Sequence, residues 1–324
     1  MGCEAHHRSG ALLLAGSLLL LAGCRTSEDA TAAAAQMATT AKSLCGYYMA
    51  LTTILDNTDQ FYLLNAQLYA KPYPSENREQ VKETEAELEK RVELASDFST
   101  LSGNFGKLTG STAPADVAAS ASKLEGEVET LASVKASSAE QGALKAALQT
   151  LTTAAKEHKE REAAKAMDDA VKVLSDLFAK EAEVWNSAEV VYSSIGSTLA
   201  GNLVDGNVTD NAALLKVALD PFGLSPSTAS ADLNAQLAPL AKLQIAAKKS
   251  AMDSDYLQAS NAMATSLEEM SQRIHTVAED KPMAFRSAPL SVSTVEKWTS
   301  QIMSTGSTNS AATAPAQPAS KPAR

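Results

Sequence analysis

From about residue 41 the apolar positions follow a helical period. Leu44, Tyr48, Leu51, Leu55, Tyr62 and Tyr69 recur at three-, four- and seven-residue steps, one stripe on one helix face. Lys71-Pro72-Tyr73-Pro74 stops that helix, because proline disfavours a helical residue before it. A second helix is expected from Ser75, a suitable N-cap, with Glu76 at the positive end of the helix dipole. Val81, Leu88, Val92, Ala95 and Leu101 form its stripe. A third helix begins near Pro114 and carries Val117, Leu124, Val128 and Leu131. Residues 138–204 lack proline and carry a stripe from Leu144 to Leu151, then Met167, Val171, Leu174, Phe178, Trp185, Val191 and Ile195. That predicts one long helix or two nearly continuous ones. A short helix over 210–219 and a long one over 231–280, kinked at Pro239, follow. Ser293-Thr294-Val295-Glu296 has capping-box spacing and opens a last helix.

No strand-like alternation persists. The pattern predicts an all-α fold, an elongated antiparallel helical bundle of five to seven helices over residues 41–304. Residues 24–40 are small and polar with an alanine run and are expected to form a tether. Residues 305–324, rich in Ser, Thr, Ala and Pro, are expected to be a disordered tail.

Composition narrows the chemistry. Aromatics make up only 5% of the 324 residues, so the core must rest on Ala, Leu and Val. A net charge of -10 with no large basic block argues against a nucleic-acid partner. With 4 His and 3 Cys, a metal or thiol enzyme has few residues to use.

The first residues carry an address. His6, His7 and Arg8 give a weakly positive start, and residues 11–22 are an apolar run too short to span a bilayer. Leu21-Ala22-Gly23-Cys24 follows. Small residues suit a peptidase groove, and the thiol can take a diacylglyceryl group as a thioether. This sequence resembles the lipobox of bacterial lipoproteins. The resemblance implies a signal peptide over 1–23, cleavage before Cys24, and lipidation of Cys24 on sulfur and on the new amino group. Arg25 rather than Asp after the cysteine implies, by the same resemblance, sorting to the outer membrane. The membrane lipid would then be a partner through acylated Cys24, in a lipid-anchored protein of the bacterial cell envelope.

Cys3 leaves with the signal and Cys24 is acylated, so Cys45 alone remains and no intrachain disulfide can form. A buried structural thiol is expected there, with an intermolecular disulfide or a reactive thiol as alternatives. His158 and His275 each have a glutamate four residues on, Glu162 and Glu279. Neither has an acid three residues before it, so solvated ion pairs fit better than carboxylate-bridged metal sites. The residues around Gly106-Lys107 lack the spacing, hydroxyl and preceding strand of a phosphate loop. Asp168-Asp169 and Glu268-Glu269 read as solvated faces. No cofactor is expected.

Residues 190–204 carry no charge and are expected as buried core or as a membrane- or partner-contacting tip. Residues 76–93, with seven acids and four bases, are expected to lie beside the slightly basic 156–165. The reading is a non-enzymatic, lipid-anchored helical scaffold or binding module with an unknown envelope protein partner. The alternative is a membrane-active helical protein using 190–204.

Overall fold

A computed structural model describes residues 7–69, 72–108, 113–130, 138–206, 212–225, 231–279 and 291–310; side chains are described from Asp29 onward. Among these residues there is no strand. The elements are α1 (His7–Tyr69), α2 (Ser75–Phe105), α3 (Ala113–Thr130), α4 (Ser138–Lys156), α5 (Glu160–Asp205), α6 (Ala212–Leu219), a 3-10 turn (Asp220–Phe222), α7 (Ala231–Ala278) and α8 (Ser291–Ser310). The protein is an all-α helical bundle.

Residues 138–204 form two nearly continuous helices, one of the two expected readings, because α4 closes at residues 157–159. Lys159 N–H donates to the Ala154 carbonyl at 2.8 Å and His158 N–H to Ala155 at 3.1 Å. This is the Schellman pair of bonds, and His158 takes the left-handed conformation it requires, at φ 56. The same closure ends the 3-10 turn, where Leu224 N–H reaches the Leu219 carbonyl at 3.1 Å over Gly223 at φ 68.

The chain divides into two compact units rather than the one bundle domain expected. Unit 1 contains Met1–Cys45, Lys90–Glu181 and Ala262–Ser293; unit 2 contains Gly46–Glu89, Ala182–Asn261 and Thr294–Arg324. Five helices, α1, α2, α5, α7 and α8, contribute residues to both.

In unit 1, neighbouring helices run antiparallel. Ser99 Oγ donates to the Ala38 carbonyl at 3.0 Å and Thr31 Oγ1 to Gly106 at 3.2 Å, fixing α1 against α2. Lys123 reaches Asp97 at 2.7 Å and Gln149 reaches Glu125 at 2.7 Å, fixing α2 on α3 and α3 on α4. The expected tether over 24–40 is, from Asp29, helix packed in this core: Ala33, Ala34, Met37 and Thr40 are fully buried. Its alanines allow close approach. A Cβ on Gly106 would lie 2.8 Å from that of Ala34.

The charged stretch over 76–93 also finds a different neighbour from the one expected. Arg91 lies against Glu181 of α5. Glu181 is about five helical turns beyond Ala163, roughly 27 Å of rise. The 156–165 stretch instead closes α4 and opens α5, with Lys159 paired to Glu157 at 2.8 Å and Glu162 at 3.5 Å.

Unit 2 holds all seven tyrosines and both tryptophans of the chain. Phe61 of α1 stacks on Tyr192 of α5 with centroids 5.5 Å apart. Gly196, one turn on, presents bare backbone to Phe61 and Phe222. Here α8 runs parallel to α1: Trp298 meets Tyr47, with centroids 5.2 Å apart, and Met303 Sδ accepts from Thr53 Oγ1 at 3.3 Å. The uncharged 190–204 stretch serves this packing, with Tyr192, Ser193, Leu199, Ala200 and Leu203 buried and only Val190, Val191 and Thr198 exposed.

Candidate functional site

Within unit 2, α5, α7 and α8 frame a cavity of about 240 Å3 beside the 3-10 turn. Its position follows from local rules. The 3-10 turn places Pro221 at one rim, and Gln244 Nε2 of α7 donates to the carbonyls of Phe222 and Gly223, both at 2.9 Å. Trp298 supplies an aromatic wall, packed behind by Tyr47 and Tyr256, whose ring centroid lies 5.7 Å away. Tyr47 donates its hydroxyl to Tyr256 at 3.1 Å. Burial raises both phenols, Tyr256 to about 12 and Tyr47 well above its ordinary value. Tyr192 is pushed up to about 12 by burial, against hydrogen bonds from Thr305 and Asn57 that favour its ionised form.

Glu189 of α5 forms part of the cavity wall and is only 2% exposed. Neither carboxylate oxygen has a hydrogen-bond partner. Burial, with Asp253 nearby, pushes its carboxyl up to about 7; Lys249 acts in the opposite direction. Lys249 is itself bound to Asp253 at 2.8 Å, so its charge is largely answered there. Asp255 and Lys248 also line the cavity, Lys248 exposed and Asp255 half-buried. The arrangement offers a desolvated carboxylate beside apolar and aromatic surface. Such a group costs free energy until something compensates it.

Unit 1 treats its buried charge differently. Arg91 Nε lies 2.8 and 2.9 Å from the two Glu181 oxygens, and its Nη2 completes a forked contact. Asp168, expected on a solvated face, is buried and held by Lys172 at 2.7 Å and His275 Nδ1 at 2.8 Å. His275 thus faces Asp168 of α5 rather than sitting as a metal ligand with Glu279. His158 serves the helix closure described above.

Among the described residues no group of three or more His, Cys, Asp or Glu is placed to hold a metal ion. Among the same residues no helix is long and apolar enough to cross a membrane. The Cys24 side chain lies outside the described residues, as do 311–324 of the expected tail. The tail's first residues do not: α8 continues to Ser310 and brings Thr305 to the cavity. Cys45 is half-buried and uncrosslinked, and burial raises its thiol above the ordinary range. A second raised acid in unit 2, Glu85, is pushed up to about 7 by burial, by its hydrogen bond to Asp56, and by Asp59 and Glu89.

Sequence reasoning missed Glu189, Asp255, Lys248 and Trp298 as one site. A signal existed. Phe178, Glu181, Trp185, Glu189 and Tyr192 follow three- and four-residue steps, so two acids occupy core positions of the α5 stripe. No protein-family model matches the chain, and no curated protein or solved structure matches it.

Proposed function

We propose that this is a lipid-anchored, non-enzymatic helical protein of the bacterial cell envelope. It is held at the outer membrane through acylated Cys24 and uses unit 2 as a binding module. Leu21-Ala22-Gly23-Cys24 supports the anchor. The observation that carries binding rather than scaffolding alone is Glu189, a buried carboxylate with no hydrogen-bond partner in the wall of a cavity. A framework that only held helices together gains nothing from such a group, since burying it unpaired is unfavourable. Several acyl chains anchor firmly, at about 0.8 kcal/mol per buried methylene. Metabolic labelling with a clickable fatty acid tests the anchor. Wild type should carry the label in the membrane fraction, and Cys24→Ala should carry none. Label retained in the variant would contradict the assignment of Cys24.

A further inference from the structure

We propose that the unit 2 cavity binds a small organic cation, an amine bearing a compact apolar group, with its ammonium seated on the Glu189 carboxylate. This rests on the binding-module reading and names its ligand class. Charge decides the sign of the ligand. Among the described residues, Glu189 and Asp255 line the cavity against a single cation, Lys248, which is exposed to solvent. Asp253 and Lys249 lie behind and pair with each other at 2.8 Å. An anion would meet two carboxylates. A neutral ligand would leave Glu189 either charged without a counter-charge or protonated.

Shape and surface decide the rest. At about 30 Å3 per water, 240 Å3 is room for about eight waters, and so for a ligand of similar heavy-atom count. Met252, Ile302 and Trp298 supply the apolar wall, and the indole face favours a nearby cation. The Glu189 oxygens have no hydrogen-bond partner and are closed to solvent, so the side chain turns into the cavity on binding, where the ammonium gives it a charge-assisted hydrogen bond. Where Glu189 starts protonated, binding releases that proton to solvent. Affinity should therefore rise with pH through the Glu189 midpoint near 7. The other groups facing it are Asp253, Lys249, Asp255 and Lys248 of α7, and Tyr192 and Tyr256, whose phenols stay neutral in that range.

The test uses the full-length lipidated protein in detergent and calorimetric titration with 2-phenylethylamine, 2-phenylethanol and 3-phenylpropionate. The amine should bind at pH 8, bind about tenfold more weakly at pH 6, and lose at least tenfold in Glu189→Gln. The alcohol and the acid should bind far more weakly than the amine. Ala251→Phe, which places a ring at the rim while leaving Glu189 in place, should abolish amine binding without lowering Tm. Amine binding that survives both substitutions would overturn the proposal. Equal binding of amine and alcohol, unchanged in Glu189→Gln, would overturn the cation assignment but leave the binding module standing. Failure of all three probes to bind would overturn both.

Discussion

Helix α5 carries two fully buried glutamates about two turns apart, one in each unit, and they live in opposite conditions. Glu181 in unit 1 is gripped by the fork of Arg91. Glu189 in unit 2 has no hydrogen-bond partner and stands in a cavity wall. The surroundings differ in composition. Unit 1 packs alanines, leucines and phenylalanines. Unit 2 collects every tyrosine and tryptophan. The same residue type on the same helix is structural where the chain itself supplies the counter-charge. Where the chain withholds it, the carboxylate is left without a hydrogen bond.

The largest expected effect separates the two glutamates. Glu181→Ala strands the Arg91 guanidinium in the core and should destabilise the protein by about 3–5 kcal/mol. Denaturant titration followed by far-ultraviolet circular dichroism reads this; a loss under 1 kcal/mol would break the contrast. Both tryptophans lie in unit 2, so their fluorescence reports that unit in parallel.

Gly196→Ala sharpens the packing half of the comparison. Its new methyl would lie 2.7 Å from Phe61 Cε2 and 3.3 Å from Phe222 Cζ. A loss of about 1–3 kcal/mol is expected, seen first in tryptophan fluorescence. An unchanged midpoint would mean the ring stack yields freely.

Glu189→Gln should act with the opposite sign to Glu181→Ala. The folded carboxyl sits near 7, above its ordinary 4.5. Below about 4.5 both folded and unfolded forms are protonated and the group has no effect. Between 4.5 and 7 the unfolded chain has released a proton that the folded chain keeps, so stability falls as pH rises, then levels off. Removing the charge should stabilise the protein by roughly 1–3 kcal/mol at pH 8 and change little at pH 4. Glu85 contributes a slope of the same sign, which the variant retains. A variant less stable than wild type at pH 8 would show that Glu189 is compensated after all.

The smallest effect concerns helix closure. Gly223 takes its left-handed conformation without steric cost, whereas His158 carries a Cβ there. His158→Gly should stabilise the protein by about 1 kcal/mol. A loss instead would mean that the imidazole makes contacts that outweigh the backbone strain.

The helices were legible because α1, α2, α3 and α5 carry long apolar stripes, and Pro72 and Pro74 punctuate the α1–α2 turn. The buried 29–40 segment was not legible, because small residues serve equally as tether and as close-packing surface. Only the facing Gly106 distinguishes the two, and its position is a tertiary fact. The break at 157–159 was legible only as one of two readings, because histidine occupies a site where glycine is the usual signal. The paired acids misled in the same way: Asp168 looks solvated until His275 and Lys172 are brought to it. The cavity depends on residues far apart in the chain, from Glu189 to Thr305, and no local pattern joins them.

The central claim is that Glu189 stands in the fold without a hydrogen-bonded counter-charge. A pH titration of the side-chain carboxyl carbons in protein labelled with 13C at glutamate tests it most directly, with the Glu189 signal assigned by its absence in Glu189→Gln. A midpoint near 7 is expected for the unliganded protein. A midpoint at or below the ordinary 4.5 would show that the chain already satisfies this carboxylate, and the account of unit 2 as a binding module would fall with it.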